Sequence, residues 1–353
     1  MPFISSSFAL LDRTALWAAD FAALWLSRLF RWGPPAVLLL VAATAWYALP
    51  VTTTCRVATA EGGPPVRLAL VTDLHSCRYG KGQQALVRRL ERIRPDLVLL
   101  GGDIFDDRIP DDATLEFLDA IAPRWPCFYV TGNHEFWSGR HAAMKAAVRA
   151  RGIAVLEGSG GTVEVRGRGI DVCGIDDPTY MEPGEWHPPL PDGVPADDPT
   201  CHRGGEWRRQ LEAATAAAQP GHLKILLTHR PERVADYRGR GFDLVLCGHT
   251  HGGQVALPFG LLPGLFAPNQ GFFPRYAAGL HDLGNGTAMV ISRGLSRKHW
   301  FLPRWFNHPE VVAVEVDQGP QVGGREPGTG SRGFGGGIAE TGARSRENPS
   351  ATG

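Results

Sequence analysis

Apolar residues in this chain come in short unbroken runs that stop at Gly, Asp, Asn or His, and stretches of helical spacing lie between them. The first run, Leu68-Ala69-Leu70-Val71, leads into Thr72-Asp73-Leu74-His75. A run of this length without alternation reads as a strand covered on both faces, as parallel sheets require. Residues 83–94 then carry Leu86, Val87, Leu90 and Ile93 on one helical face with basic residues on the other, and Pro95 ends the helix. Asp96-Leu97-Val98-Leu99-Leu100 is a second buried strand, 113–121 a helix, 127–130 a third strand and 140–150 another helix. This β-α-β-α alternation predicts an α/β domain with a largely parallel sheet.

Past Ala154 the pattern changes to short strands with glycine turns, Val163-Glu164-Val165 and Ile170-Asp171-Val172. Residues 177–205 are rich in Pro, Asp and Gly without periodicity, which predicts a surface loop or lid. A helix over 207–218 and strands over 223–227, 243–247, 289–292 and 311–316 follow. From about Asp317 the chain is Gly, Ser, Arg and Glu with almost no large apolar residue, so 318–353 is expected to be a disordered tail.

The N-terminal end has a different pattern. No charged residue occurs between Arg31 and Arg56. About twenty apolar residues cross a bilayer, so residues 32–51 are long enough for a transmembrane anchor, with Trp32, Trp46 and Tyr47 as interfacial residues. Residues 1–31, broken by Arg13, Asp20 and Arg28, read as an amphipathic segment on the cytoplasmic side. Two alternatives stay open: an export signal cleaved near Ala58-Thr59-Ala60, and a helix buried in the fold or bound at a surface. Glu61-Gly62-Gly63-Pro64-Pro65 is a breaker cluster, which sets the expected globular domain at 64–317.

Lys+Arg and Asp+Glu balance at 36 each, so no net field favours a nucleic-acid partner. The six cysteines, Cys55, Cys77, Cys127, Cys173, Cys201 and Cys247, stand singly, giving neither a disulfide framework nor a zinc knuckle.

The chemistry lies at the strand ends. Five apolar runs terminate in Asp73/His75, Asp103, Asn133/His134, His229 and His249/His251. In open α/β sheets, ligands gather at the carboxyl ends of strands, so these distant positions can converge. If Asp73 and His75 continue the strand, residues i and i+2 share a face. Gly101 and Gly102 let the backbone turn tightly and bring Asp103 close to whatever is bound. Imidazoles, carboxylates and one amide together suit two divalent cations, and the mixed N/O set favours Mn, Fe or Zn over Ca or Mg.

These blocks, D-x-H, G-D, G-N-H-E, a lone H and G-H-x-H in that order, resemble the calcineurin-like metallophosphoesterase superfamily over about residues 66–316. The N-terminal apolar stretch, Gly174-Ile175-Asp176-Asp177-Pro178 and the ending around Gly294 and 304–310 resemble its membrane-associated, YkuE/YaeI-like bacterial branch. The resemblance implies a four-layer α/β/β/α sandwich. It implies that Asp73, His75 and His251 bind one metal, that Asn133, His229 and His249 bind the other, and that Asp103 bridges them. His134 resembles the catalytic histidine, protonating the leaving oxygen after attack of a metal-bridging water on phosphorus.

The implied activity is hydrolysis of a phosphodiester or pyrophosphate, on a lipid-linked substrate such as UDP-2,3-diacylglucosamine or a phospholipid. The implied location is single-pass in a bacterial inner membrane, with the side of the catalytic domain open. A phosphodiesterase of soluble nucleotides and a non-catalytic metal-dependent binding module are the alternatives. Asp106 and Asp107 read as turn or capping residues, one of which could orient a ligand from behind, and Glu135 as an outer or solvated group. His141, His187, His202, His222, His281, His299 and His308 read as ordinary surface or core histidines. Arg275 and Arg304 are candidates for phosphate contact or plain surface residues.

Overall fold

A computed structural model describes residues 49–60, 62–179, 205–257, 261–297 and 304–318, together with residues 28, 31, 33 and 35. The amphipathic segment 1–31, nearly all of the anchor 32–51, most of the loop 177–205, Cys201, His187, His202, His299 and the tail lie outside the described residues. Among the described residues, no helix is long and apolar enough to cross a membrane.

The chain order is β1 (Val51–Thr59), β2 (Val66–Val71), α1 (Gln84–Ile93), β3 (Leu97–Gly101), α2 (Asp112–Ile121), β4 (Cys127–Val130), α3 (Asn133–Trp137), α4 (His141–Arg149), β5 (Ala154–Val155), β6 (Ser159–Val165) and β7 (Arg168–Gly174). Then follow α5 (Glu206–Ala217), β8 (Leu223–Leu227), α6 (Val234–Tyr237), β9 (Leu244–Cys247), β10 (Phe266–Ala267), β11 (Gly271–Phe272), β12 (Gly279–Gly284), β13 (Thr287–Ile291) and β14 (Glu310–Gln318).

Two six-stranded sheets result. The first has order β1-β14-β2-β3-β4-β5, the second β12-β13-β9-β8-β7-β6, and β10 and β11 form a separate ribbon. In the first sheet only the β14–β2 pair is antiparallel, and in the second only the two outermost pairs are.

Alternation along each central strand explains why the sequence shows unbroken apolar runs. Leu68 and Leu70 of β2, Leu97 and Leu99 of β3, Ile225 and Leu227 of β8, and Leu244 and Leu246 of β9 fill one core between the sheets. Ala69, Val71, Val98 and Leu100 face the opposite way, onto Leu86, Leu90 and Ile93 of α1 and Phe117, Leu118 and Ile121 of α2. Leu226, Val245 and Cys247 meet Trp207, Leu211 and Ala214 of α5 and Tyr237 of α6. The layers are therefore helix, sheet, sheet, helix. Each fully buried Leu or Ile side chain contributes about 1.5–3 kcal/mol.

Two sequence expectations are corrected here. Val51 begins β1 rather than ending an anchor, and β1 pairs along its length with β14 from Glu310 to Gln318. The sheet therefore includes residues on the N-terminal side of the breaker cluster, and the domain takes in residues from Val51 rather than from residue 64. Asp73 and His75 do not continue β2, which ends at Val71. Their φ values of 51° and 48° put both in a turn of left-handed backbone.

Candidate metal centre

The loops after β2, β3 and β4 of the first sheet and after β8 and β9 of the second meet at the strands' carboxyl ends. Backbone hydrogen bonds lock them together. Asp73 N donates to Gly102 O at 3.0 Å, His75 N to Asp103 O at 2.9 Å and Gly248 N to His229 O at 3.2 Å. Side chains tie further loops: His249 N donates to Asp73 Oδ1 at 3.0 Å, and His134 N to Asp103 Oδ1 at 2.8 Å. Gly102, with φ 87°, is required here, because a Cβ would come within 2.6 Å of His229 Nδ1.

The predicted ligands converge. Polar atoms of Asp73, His75 and His251 lie within 4.8 Å of one another, and so do those of Asp103, His229 and His249. Asp103 Oδ2 stands between the groups, 3.5 Å from His75 Nε2 and 3.2 Å from His229 Nε2. Asn133 opens α3 in the loop whose next residue binds Asp103. Asp73, His75, Asp103, Asn133, His229 and His249 are all buried.

Whether these residues suit cations is tested by their unmet polar atoms. His75 Nε2, His229 Nε2 and Asn133 Oδ1 are buried and make no hydrogen bond to a described atom. Such orphans are rare in folded proteins and call for a ligand. Tautomers agree. A carbonyl oxygen only accepts, so the 2.8 Å contact of His229 Nδ1 with Gly101 O puts the hydrogen on Nδ1 and leaves Nε2 as the donor atom for a metal. His249 Nε2 is taken up by Asn269 Oδ1 at 3.0 Å and Arg230 Nη1 at 3.2 Å, which leaves Nδ1 as the ring atom open to a metal. The donor set fits two divalent ions.

The metal-free electrostatics point the same way. Burial would raise the Asp103 carboxyl, but the His229 and His134 imidazoles outweigh it and hold the group well below the carboxylate range. Burial likewise works against the charged form of His229, yet Asp103 and Asp73 push it up to about 10, which marks a strong cation-binding field. His249 and His251 are driven well below their ordinary value, first by burial and then by Arg230 and His75 respectively. Both are therefore neutral, the state a ligand needs.

His134 sits at the rim, 23% exposed, with Nδ1 2.7 Å from Asp107 Oδ1 and its ring 4.4 Å from that of His75. Burial lowers its pKa, but Asp103 and Asp107 outweigh this and leave it raised.

The residues behind the ligands have more specific roles than the sequence alone shows. Asp107 is more than a capping residue, since it holds His134. Asp106 does form a turn, accepting from Arg108 N and Ile109 N, but its Oδ2 also meets His75 Nδ1 at 3.2 Å. Glu135 is not solvated. It is fully buried, and its two oxygens accept from the backbone N–H groups of Asp103, Ile104, Phe105 and Gly132. Burial and Asp103 raise it to about 8 against the pull of these donors. Arg230 is buried and grips Asp177 through Nε at 2.5 Å and Nη2 at 2.9 Å, while Nη1 donates to Asn269 Oδ1 at 2.8 Å.

Arg304 is buried with Nη2 3.3 Å from His251 Nδ1, whereas Arg275 is exposed and lies over the Tyr276 ring. His141 is buried against Phe136, and His222 binds Asp171. Nothing in the spacing marks Asn269 or Arg230. Asp106 and Asp107 stand out by their place in Gly102-Asp103-Ile104-Phe105-Asp106-Asp107.

Comparison with known proteins agrees. The family description "Calcineurin-like phosphoesterase" matches residues 66–253. Phosphodiesterase YaeI of Escherichia coli is 28% identical over 263 residues, covering 72% of this chain and 84% of that protein. The metallophosphoesterase YkuE of Bacillus subtilis is 24% identical, covering 71% and 78%. A transmembrane protein with a metallophosphoesterase domain from Bos taurus is 25% identical over 65% of this chain, which spans only 48% of the bovine protein. The chain belongs to the calcineurin-like phosphoesterase family, metal-dependent phosphoester hydrolases that use two divalent cations.

Proposed function

We propose that this chain hydrolyses a phosphodiester or pyrophosphate bond at a centre where Asp73, His75 and His251 hold one cation, Asn133, His229 and His249 hold another, and Asp103 holds both. The observation that carries this reading is the meeting of two three-residue clusters on one carboxylate, with His75 Nε2 and His229 Nε2 facing it unbonded. When bound, two divalent cations lower the pKa of an attacking water and neutralise charge on the phosphoryl oxygens.

The chain's own residues supply the rest. His134, oriented by Asp107, stands at the rim where it can give a proton to the leaving oxygen. Asp106 fixes the His75 ring, Asn269 fixes that of His249, and Glu135 clamps the Asp103 loop to the Asn133 loop.

The uncharged stretch upstream of β1 supports a single-pass tether, in a bacterial inner membrane, and the bovine relative's description supports a membrane tether in general. A lipid-linked phosphodiester, of the class of UDP-2,3-diacylglucosamine or a phospholipid, is the substrate that a tethered site would meet. Retention of every ligand position and of His134 speaks against a non-catalytic module.

The test is hydrolysis of bis-p-nitrophenyl phosphate by the full chain, stripped of metal and resupplied with Mn²⁺. Activity should require metal and vanish in Asp103→Asn, and His134→Ala should lower the rate about 10²–10⁴-fold on an alkyl phosphodiester and much less on this activated ester. Metal binding without hydrolysis of any diester would establish the binding-module reading. Equal turnover of soluble nucleotide diesters with and without lipid would remove the lipid substrate.

A further inference from the structure

The segment that follows His251 carries an unusual amount of apolar surface. Leu261 is 76% exposed, Phe272 and Phe273 are each 69% exposed, and Leu257, Phe266, Trp305 and Phe306 are exposed as well. Hydrogen bonds join them in one platform. Ala256 N donates to Trp305 O at 2.9 Å, Leu257 N to Leu262 O at 2.8 Å and Phe273 N to Leu265 O at 2.8 Å. The Phe266 and Phe272 rings lie 5.4 Å apart. Soluble monomers rarely expose contiguous apolar patches of this kind without a partner.

Three observations indicate the partner. First, of the four arginines in the described residues 254–257, 261–276, 293–297 and 304–309, Arg275 and Arg297 are exposed, while Arg304 is buried and Arg293 pairs with the buried Glu310. Second, the uncharged sequence enters the fold at Leu49 to Val51, beside this platform. His308 Nδ1 donates to Leu49 O at 3.1 Å, and Val51 N donates to Pro309 O at 2.8 Å, so exposed Leu49 adjoins the Trp305–Phe306 segment. Third, the platform borders the metal centre. Asn307 Nδ2 donates to His251 O at 2.7 Å, and Arg304 Nη2 lies 3.3 Å from His251 Nδ1. Aromatic side chains flanked by exposed arginines suit the headgroup region of an anionic bilayer.

We infer that this platform docks on an anionic lipid surface, holding the mouth of the metal centre against the headgroups on the side where the N-terminal stretch leaves the domain. The inference rests on the uncharged stretch that precedes Leu49 being a membrane segment. It does not require that the substrate be a lipid.

The experiment uses the full chain with a polarity-sensitive fluorophore on an introduced cysteine: Leu261→Cys or Phe272→Cys on the platform, and Glu164→Cys on β6 as a distant control. Wild type taken through the same labelling gives the background from native thiols. Vesicles of phosphatidylcholine and phosphatidylglycerol are added, with and without a lipid-borne quencher. Probes at 261 and 272 should shift to the blue and be quenched, the probe at 164 should do neither, and both effects should weaken in phosphatidylcholine alone.

Co-sedimentation with vesicles but no shift at 261 or 272 would overturn the docking and leave the tether standing. No co-sedimentation would overturn both. A dimer seen by light scattering and lost in Phe272→Ser/Phe273→Ser would assign the platform to a second copy and also overturn the proposal. Both variants should keep wild-type hydrolysis of bis-p-nitrophenyl phosphate, so failure here and failure of the catalytic reading can be told apart.

Discussion

Asp73, His75, Asp103, His249 and His251 share positive φ values between 48° and 71°. For residues other than glycine this backbone costs roughly 1–2 kcal/mol each, and it persists only where surroundings over-determine it. The surroundings here are the interlocked N–H groups of five loops, which aim short side chains at one point. At the residue scale the i, i+2 argument for Asp73 and His75 assumes a continued strand, whereas the structure brings the pair together through a left-handed turn. Asn269 could not be found at all, because its contact with His249 exists only after folding. Its role gives a sharp expectation. Asn269→Ala frees the His249 ring and should weaken metal affinity about 10–100-fold, read by calorimetric titration with Mn²⁺; unchanged affinity would remove Asn269 from the account. Asp107→Asn loosens His134, so its rate on alkyl phosphodiesters should fall more than its rate on p-nitrophenyl esters, whose leaving group needs no proton. Equal losses on both would count against His134 as the acid.

Elements were the most legible level. The unbroken runs at 68–71, 97–100, 223–227 and 244–247 are strands with apolar neighbours on both faces, and the helices cover the outer faces as the spacing of Leu86, Leu90 and Ile93 required. Strand β1 was hidden because it is an edge strand with alternating exposure whose sequence runs on from an apolar stretch. Leu99→Ala between the sheets should cost about 2–5 kcal/mol by denaturant unfolding. Leu280→Ala on the exposed edge strand β12 should stay within about 0.5 kcal/mol.

Asp171 on β7 tests the electrostatics at this scale. It accepts from Thr162 Oγ1 on β6, from Gln219 N and from His222, and these bonds overcome burial to hold its pKa below the usual value. A depressed carboxyl stabilises the fold above its unfolded pKa, and the contribution is lost as pH falls through the lower, folded value. Asp171→Asn should therefore destabilise by about 1–3 kcal/mol at neutral pH. The gap should close as pH drops below about 4. A gap that persisted or widened in acid would contradict this assignment.

For the whole molecule, each cluster draws ligands from both sheets. Asp73 and His75 follow β2 while His251 follows β9; Asp103 follows β3 while His229 and His249 follow β8 and β9. Bound cations would thus join the two halves of the sandwich. Saturating the stripped chain with metal at about 100 times its dissociation constant should add about 2.7 kcal/mol, seen as a higher melting temperature by calorimetry. No shift would mean that the ions bind outside this junction.

The central claim is that seven residues from five loops hold two divalent ions through one shared carboxylate. Equilibrium dialysis of the full chain against Mn²⁺ or Zn²⁺, with metal counted by mass spectrometry, tests it most directly. The account predicts two ions per wild-type chain, and loss of tight binding in Asp103→Asn with the fold intact by circular dichroism. A wild-type chain that holds none, or an Asp103→Asn chain that still holds two, would contradict it.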